Sequence, residues 1–241
     1  RKWPAGPNFA TRRAAPQGVR RSRGLMGSGG AGQARPKEWL VVMGRWPAPG
    51  RCKSRLAVAL GSRRAAAIQR ALSGHGLAEA RRAAALRPGL ALVLAVSGLG
   101  PKGSRRWAEG LGADWVGLQG EGRLGWRLQR QLLLARRHGA QRVVLIGSDL
   151  PELAAADLAA AFNALARCDL VLGPAADGGY WLIGLAGSWP RLFAGGPQAI
   201  AWGGNQVLAQ TLAVADQLGL VVTLLPIRHD LDRPEDLRRW R

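Results

Sequence analysis

The sequence predicts an α/β fold in which a mostly parallel sheet is covered by helices on both faces. Three observations predict it. Short apolar runs at 39–43, 90–96 and 142–147 lack polar alternation, as strands buried on both faces do. Stretches with helical spacing separate these runs, the pattern of parallel strands joined by crossover helices. No repeat period appears and no second composition regime begins after residue 38, so residues 38–241 are expected to form one domain with its own core.

In order along the chain, residues 1–37 are rich in Gly, Arg, Pro and Ser and lack apolar periodicity, so a disordered basic tail is expected. Residues 39–43 (W-L-V-V-M) are the first strand; a Gly/Pro loop follows, and a helix begins near Lys53. Two helices are expected at 62–72 and 77–86, divided at Ser73-Gly74-His75-Gly76. Then come a strand at 90–96, a helix at 103–110 and a short strand at 114–118. Leu124, Leu128, Leu132 and Ala135 fall at helical spacing over 124–138, and His138-Gly139 stops that helix. A strand at 142–147, an Ala-rich helix at 155–166 and a strand at 169–173 follow. Asp177-Gly178-Gly179 reads as a hairpin-type turn into a strand at 180–185. A helix at 205–218, a strand at 220–225 and a helical turn from Pro234 complete the chain.

Thirty-five Lys+Arg against 15 Asp+Glu give a net charge of +20, which raises a polyanion as partner. Nine of those cations lie in residues 1–37 with no acid among them, leaving +11 on the rest. The ten tryptophans are scattered from Trp3 to Trp240 rather than interleaved with basic residues, which argues against a nucleic-acid stacking surface. Nucleic acid is therefore expected only as a non-specific partner of the tail. Cys52 and Cys168 are too few for a disulfide framework or a metal cluster, and a reduced, cytoplasmic setting fits. No apolar run approaches the roughly 20 residues of a membrane span, and no apolar segment follows the basic N-terminus as a secretory signal would require. The chain opens on Arg1, so it is read as a fragment or as carrying residues ahead of a start at Met26 or Met43.

Ligands of such sheets bind where strands end at their carboxyl edge, and four places follow strands. The loop G-R-W-P-A-P-G-R-C-K-S-R-L (44–56) sets Arg45, Arg51, Lys53 and Arg55 on a turn made supple by Gly44 and Gly50 and stiffened by Pro47 and Pro49. It suits a polyphosphate, though it has neither Walker nor dinucleotide spacing. In I-G-S-D-L-P (146–151), Asp149 either holds a divalent metal or caps the next helix. In G-P-A-A-D-G-G-Y (173–180), Asp177 and Tyr180 either face a cleft or belong to a plain hairpin. In H-D-L-D-R-P-E-D-L (229–237), Asp230 and Asp232 are taken to project to opposite sides, so that only one points into a site. Glu235 and Asp236 suit the first turn of a Pro-initiated helix. The histidines form no metal spacing, and Cys52 is expected to be packed rather than reactive.

Those motifs, together with Q-G-E-G-R-L-G-W-R-L (119–128), resemble a bacterial glycosyltransferase-like family linked to arsenosugar biosynthesis, within the nucleotide-diphospho-sugar transferase superfamily. They are more distantly similar to the molybdenum-cofactor and 2-phospholactate guanylyltransferases. The resemblance covers about residues 39–240. It implies a three-layer α/β/α sandwich with a mostly parallel mixed sheet, a bound nucleotide and Mg²⁺ or Mn²⁺. It places Gly44, Arg45, Gly50, Arg51, Lys53, Arg55 and Gln119 at the nucleotide, and Gly178, Gly179 and Tyr180 at the acceptor. Asp149 and Asp232 take the metal, with Asp232 preferred over Asp230, and Lys53, Asp149 and Asp177 form the catalytic set. The chain departs from the family pattern at Arg123 and Trp126, which replace an Asp and a Glu, and at Gly203-Gly204 after Trp202.

The expected activity is metal-dependent transfer of a sugar from a nucleotide sugar to a small acceptor. A nucleotidyltransferase using a nucleoside triphosphate and releasing pyrophosphate is the nearest alternative. A non-catalytic nucleotide- or polyanion-binding protein is the alternative of another class.

Overall fold

The computed structural model describes residues 36–187, 192–193 and 200–240. The tail expected over 1–37 lies outside the described residues except for its last two. Of these, Lys37 offers its carbonyl to the backbone N–H groups of Gln141 and Arg142.

Among the described residues, seven strands and six α-helices follow in the order β1 (Glu38–Arg45), α1 (Ser54–Leu60), α2 (Ser62–Ala85), β2 (Leu90–Ser97), α3 (Pro101–Leu111), β3 (Trp115–Leu118), α4 (Leu124–Arg137), β4 (Arg142–Gly147), α5 (Ala155–Ala164), β5 (Leu170–Pro174), β6 (Tyr180–Ala186), α6 (Val207–Gln217) and β7 (Val222–Leu224), closed by a 3-10 helix at Pro234–Trp240. Strand bounds match the sequence pattern to within two residues, the ordinary scatter of element ends.

The sheet order is β3-β2-β1-β4-β6-β5-β7. β1 runs parallel to β2 and β4, with Leu40 opposite Leu92 on one side and Val144 on the other. β6 is antiparallel to both neighbours, opposite Leu145 and Leu172 through Ile183, and β7 returns parallel to β5. The Asp177–Gly179 turn is thus the hairpin its composition suggests, and the sheet is mixed.

Period-two alternation sorts the core into two layers. Leu40, Val42, Leu92, Leu94 and Val144 pack with Leu77, Ala80, Ala108, Leu158 and Phe162 of α2, α3 and α5. Trp39, Val41, Val93 and Leu145 pack on the opposite face with Leu128, Leu132 and Ala215 of α4 and α6. The result is a three-layer α/β/α sandwich. A small third cluster joins Leu56 of α1 and Leu72 of α2 to Leu231 near the C-terminus.

One element differs from the sequence reading. α2 runs unbroken through Ser73-Gly74-His75-Gly76. Each glycine costs a helix about 1 kcal/mol relative to Ala, but Leu72, Ser73, Gly76 and Leu77 are buried along that turn. His75 also anchors it, with Nε2 3.0 Å from the Leu153 carbonyl. Tertiary burial outweighs local propensity here. Among the described residues no helix is long and apolar enough to cross a membrane.

Because β1, β2, β4, β5 and β7 share a direction, the segments after Arg45, Ser97, Gly147, Pro174 and Leu224 all open at one edge. Strand order reverses between β1 and β4, where doubly wound sheets form a crevice.

Candidate functional site

The loop leaving β1 is held tightly by its own backbone. Trp46 N donates to the Ser97 carbonyl at 2.9 Å, Ala48 N to Trp46 O at 2.8 Å and Arg51 N to Ala48 O at 3.0 Å. Gly50 supplies a φ of 75°, open to any residue only at a cost. Lys53 then adopts φ 48° and ψ 49°, the left-handed region, and no other non-glycine among the described residues has a positive φ. That conformation costs an L-residue roughly 1–2 kcal/mol. What holds it is the far end of the side chain, which is 2 % exposed. Lys53 Nζ donates to the Leu231 carbonyl at 2.6 Å, lies 2.9 Å from Asp149 Oδ1 and 3.7 Å from Asp232 Oδ1. Arg55 Nη1 meets the other Asp232 oxygen at 2.7 Å.

Asp149 and Asp232 meet this ammonium, and Asp230 lies within reach of its charge and of those of Asp149, Asp232 and Asp177. Asp149 follows β4, and its backbone carbonyl accepts from Leu231 N at 2.8 Å, tying the strand end to the C-terminal segment. Asp177 sits in the β5–β6 turn, where Oδ1 accepts from Gly179 N at 2.9 Å. Asp230 is the most confined. Burial pushes its carboxyl up to about 7, the Asp149, Asp177 and Asp232 charges push the same way, and Lys53 opposes them. The expectation that Asp230 and Asp232 project to opposite sides is corrected. Alternation has period two, so residues two apart share a side; the intervening Leu231 points into the α1–α2 cluster and is buried. Asp236 caps instead, accepting from the N–H groups of Asp232 and Arg233 at 3.0 and 2.7 Å.

A pocket of about 430 Å³ opens beside this cluster, lined by Arg45, Trp46, Gly50, Arg51, Lys53 and Gly98 among others. Arg45 and Arg51 are exposed there and pair with no carboxylate among the described residues. A larger opening of about 510 Å³, between Arg142 and Ala186, lies at the opposite edge of the sheet, away from the four aspartates.

Gln119 is buried and spans the ends of β1 and β2, its Nε2 donating to Gly44 O at 3.0 Å and Ala95 O at 2.9 Å. Gly44 is small because the chain above it is crowded: a Cβ would meet Leu94 Cδ1 at 2.9 Å and Trp107 Cη2 at 3.1 Å. Gly178, at φ 88°, is pressed against the Asn205 backbone with no room for a Cβ. Tyr180 turns its hydroxyl inward, where it is buried beside Thr211, and that burial raises the phenol pKa. Its ring meets Trp202 edge-on at 6.3 Å. Cys52 is packed, with Sγ donating to Ala48 O and its thiol pKa raised by burial. Arg123 precedes α4, and Trp126 on its first turn is 55 % exposed.

Sequence reasoning passed over Trp46 and the Leu231 carbonyl. The first was hidden as one of ten scattered tryptophans, and no residue type marks a carbonyl. Among the described residues no three His, Cys, Asp or Glu side chains form a ready metal cage.

Residues 79–203, more than half of the chain, match the model of DUF2064, an uncharacterized protein conserved in bacteria. The match spans Gln119, Asp149 and Asp177–Tyr180 and leaves out the basic loop and Asp230. Among solved structures, the fold matches a candidate nucleotide-diphospho-sugar transferase from Desulfovibrio desulfuricans G20 at 29% identity and TM-score 0.70, covering 82% of this chain and 83% of that one. It also matches glucosyl-3-phosphoglycerate synthase from Mycobacterium tuberculosis, in complex with Mn²⁺, UDP and glucosyl-3-phosphoglycerate, at 15% identity and TM-score 0.52, over 85% and 75%. A CMP:2-keto-3-deoxy-manno-octonic acid synthetase complexed with CTP matches at 11% identity and TM-score 0.53, over 85% and 96%. No curated protein matches the sequence.

Proposed function

We propose, for a chain that belongs to the bacterial DUF2064 family, the activity of a divalent-cation-dependent transferase acting on a nucleotide sugar. The observation that carries this reading is the adjacency of two opposite features. A pocket with the exposed cations Arg45 and Arg51 abuts a carboxylate cluster whose most confined member, Asp230, makes no ion pair among the described residues.

The donor set fits a hydrated Mg²⁺ or Mn²⁺, which takes one or two carboxylates and completes its shell with water and substrate phosphate. Asp232 is the poorer ligand, because Lys53 and Arg55 take one oxygen each. Asp230 with Asp149 is the better pair, which moves the metal role from Asp232 to its neighbour two residues earlier. Bound there, the cation would neutralise phosphate oxygens of the leaving nucleotide.

The chain's own groups do the rest. Arg45 and Arg51 receive the diphosphate through charge-assisted hydrogen bonds. Lys53 fixes Asp149 and Asp232 in place rather than meeting the phosphates itself. In the transfer, an acceptor hydroxyl oxygen bonds to the anomeric carbon as the bond from that carbon to the diphosphate breaks. The acceptor's proton passes to Asp177 on the β5–β6 turn, and the diphosphate departs with the electron pair. The Mn²⁺ and UDP of the M. tuberculosis synthase illustrate the same kind of ligand set on this fold. The candidate nucleotide-diphospho-sugar transferase of D. desulfuricans supports the substrate class.

The test is product analysis by mass spectrometry after incubation with Mn²⁺ and panels of nucleotide sugars and nucleoside triphosphates. Nucleoside diphosphate released from a nucleotide sugar supports the reading. Pyrophosphate released from a triphosphate, with nucleotide sugars untouched, overturns it in favour of nucleotidyl transfer.

A further inference from the structure

Trp46 lies in the wall of the 430 Å³ pocket between Arg45 and the rest of the cationic loop. Trp46 is only partly buried, so part of its surface stays open. It is also held rigidly. Its backbone N–H donates to the Ser97 carbonyl, and its backbone carbonyl accepts from Ala48 N. Its ring meets Trp107 at 5.3 Å and 85°, an edge-to-face arrangement. Trp107 is locked in turn by Gly44, whose missing side chain makes room for the indole tip. Across the wall stands Gly98, at φ 86°, where a side chain would meet Trp46 Cβ at 3.5 Å. A fixed aromatic surface therefore borders the same cavity as two guanidinium groups that pair with no carboxylate among the described residues. Every nucleobase has a face that stacks on such a ring, and a diphosphate attached to it carries charge for the arginines.

From this geometry we infer that Trp46 is the platform on which the base of a nucleoside diphosphate stacks, so that the pocket selects a nucleotide over a bare polyphosphate. The inference rests on the nucleotide reading above and adds which part of the loop meets which part of the ligand. Trp107 and Gly98 are the supports that keep the platform in place.

The experiment is calorimetric titration with Mn²⁺ present, comparing ADP, GDP, CDP and UDP with inorganic pyrophosphate on the wild type, Trp46→Phe, Trp46→Leu and Trp46→Ala. In the wild type at least one nucleoside diphosphate should bind about five- to hundredfold more tightly than pyrophosphate, the range expected of one base stack. Trp46→Phe should keep most of that advantage. Trp46→Leu and Trp46→Ala should lose it while binding pyrophosphate as the wild type does, which also shows that they are folded. An advantage unchanged in Trp46→Leu and Trp46→Ala overturns the platform and leaves the nucleotide reading intact. Loss of pyrophosphate binding in both overturns it as well, by showing Trp46 to be a support of the loop. If the wild type binds neither pyrophosphate nor any of the four nucleotides, the nucleotide reading itself fails and the platform with it.

Discussion

Lys53 Nζ lies 2.9 Å from Asp149 Oδ1, and this contact joins the loop after β1 to the loop after β4 across the reversal in strand order. The ammonium also carries the Leu231 carbonyl at 2.6 Å, so three distant segments meet on one buried cation.

Removing that cation should destabilise the fold. Breaking a buried ion pair from one side typically costs about 3–5 kcal/mol. The Asp149 side chain is 44 % exposed and remains partly solvated. Lys53→Met should therefore lower stability by about 1–3 kcal/mol in urea unfolding. Adding Asp149→Asn should restore part of the loss, a positive coupling in the double-mutant cycle. Strict additivity would show that Asp149 is not the partner that matters.

Asp230 makes stability depend on pH with a definite sign. Its carboxyl titrates near 3.8 when unfolded and at about 7 when folded. Between those values the native state holds a proton that the unfolded chain has released. Stability therefore falls as pH rises through that window, and the penalty is complete above about 7. Asp230→Asn should flatten this slope and raise stability at pH 8 by on the order of 2–4 kcal/mol, with little change at pH 3. Denaturant midpoints at several pH values measure it, and an unchanged slope would remove Asp230 from the cluster.

Arg45→Ala and Arg51→Ala should each weaken diphosphate binding by about 1.5–3 kcal/mol, the worth of a charge-assisted hydrogen bond. Stability should hardly move, since both side chains are exposed and pair with no carboxylate among the described residues. Arg55→Ala should act differently, freeing one Asp232 oxygen without removing a phosphate contact. Ligand-induced thermal shifts separate the two behaviours.

Gly178→Ala should be disruptive out of proportion to its size. The position has φ 88°, and a methyl would run into the Asn205 backbone, which packs against the turn carrying Asp177. A loss of about 1–3 kcal/mol is expected from backbone strain alone, together with altered near-ultraviolet dichroism as Trp202 is displaced. Wild-type stability would contradict this packing.

Much of this was legible in the sequence, for physical reasons. Short, β-branched apolar runs such as Val143–Ile146, bounded by turn residues, read as strands covered on both faces, so the layered sheet follows. Loops after such strands carry the chemistry, so the basic loop, Asp149 and Asp177 could be named. The helix through Gly74 and Gly76 was not legible, because burial of Leu72 and Leu77 overrides local propensity. The commitment of Lys53 to Asp149 was hidden too: phosphate-binding and internally paired lysines look alike until the distant carboxylate is placed. Asp232 is favoured in the sequence by its place beside the Arg233-Pro234 helix start, whereas its pairing with Arg55 is a tertiary fact that no sequence pattern marks.

The central claim is that Asp149 and Asp230 hold a divalent cation that presents a nucleoside diphosphate to Arg45 and Arg51. The most direct test is calorimetric titration of the wild type, Asp149→Asn and Asp230→Asn with nucleoside diphosphates, with Mn²⁺ and with chelator. The account predicts that the wild type binds at least one of them and loses tenfold or more in affinity without Mn²⁺. It predicts that both variants bind weakly whether or not the metal is present. Affinity that is indifferent to Mn²⁺ in the wild type, or unchanged in Asp230→Asn, would contradict it.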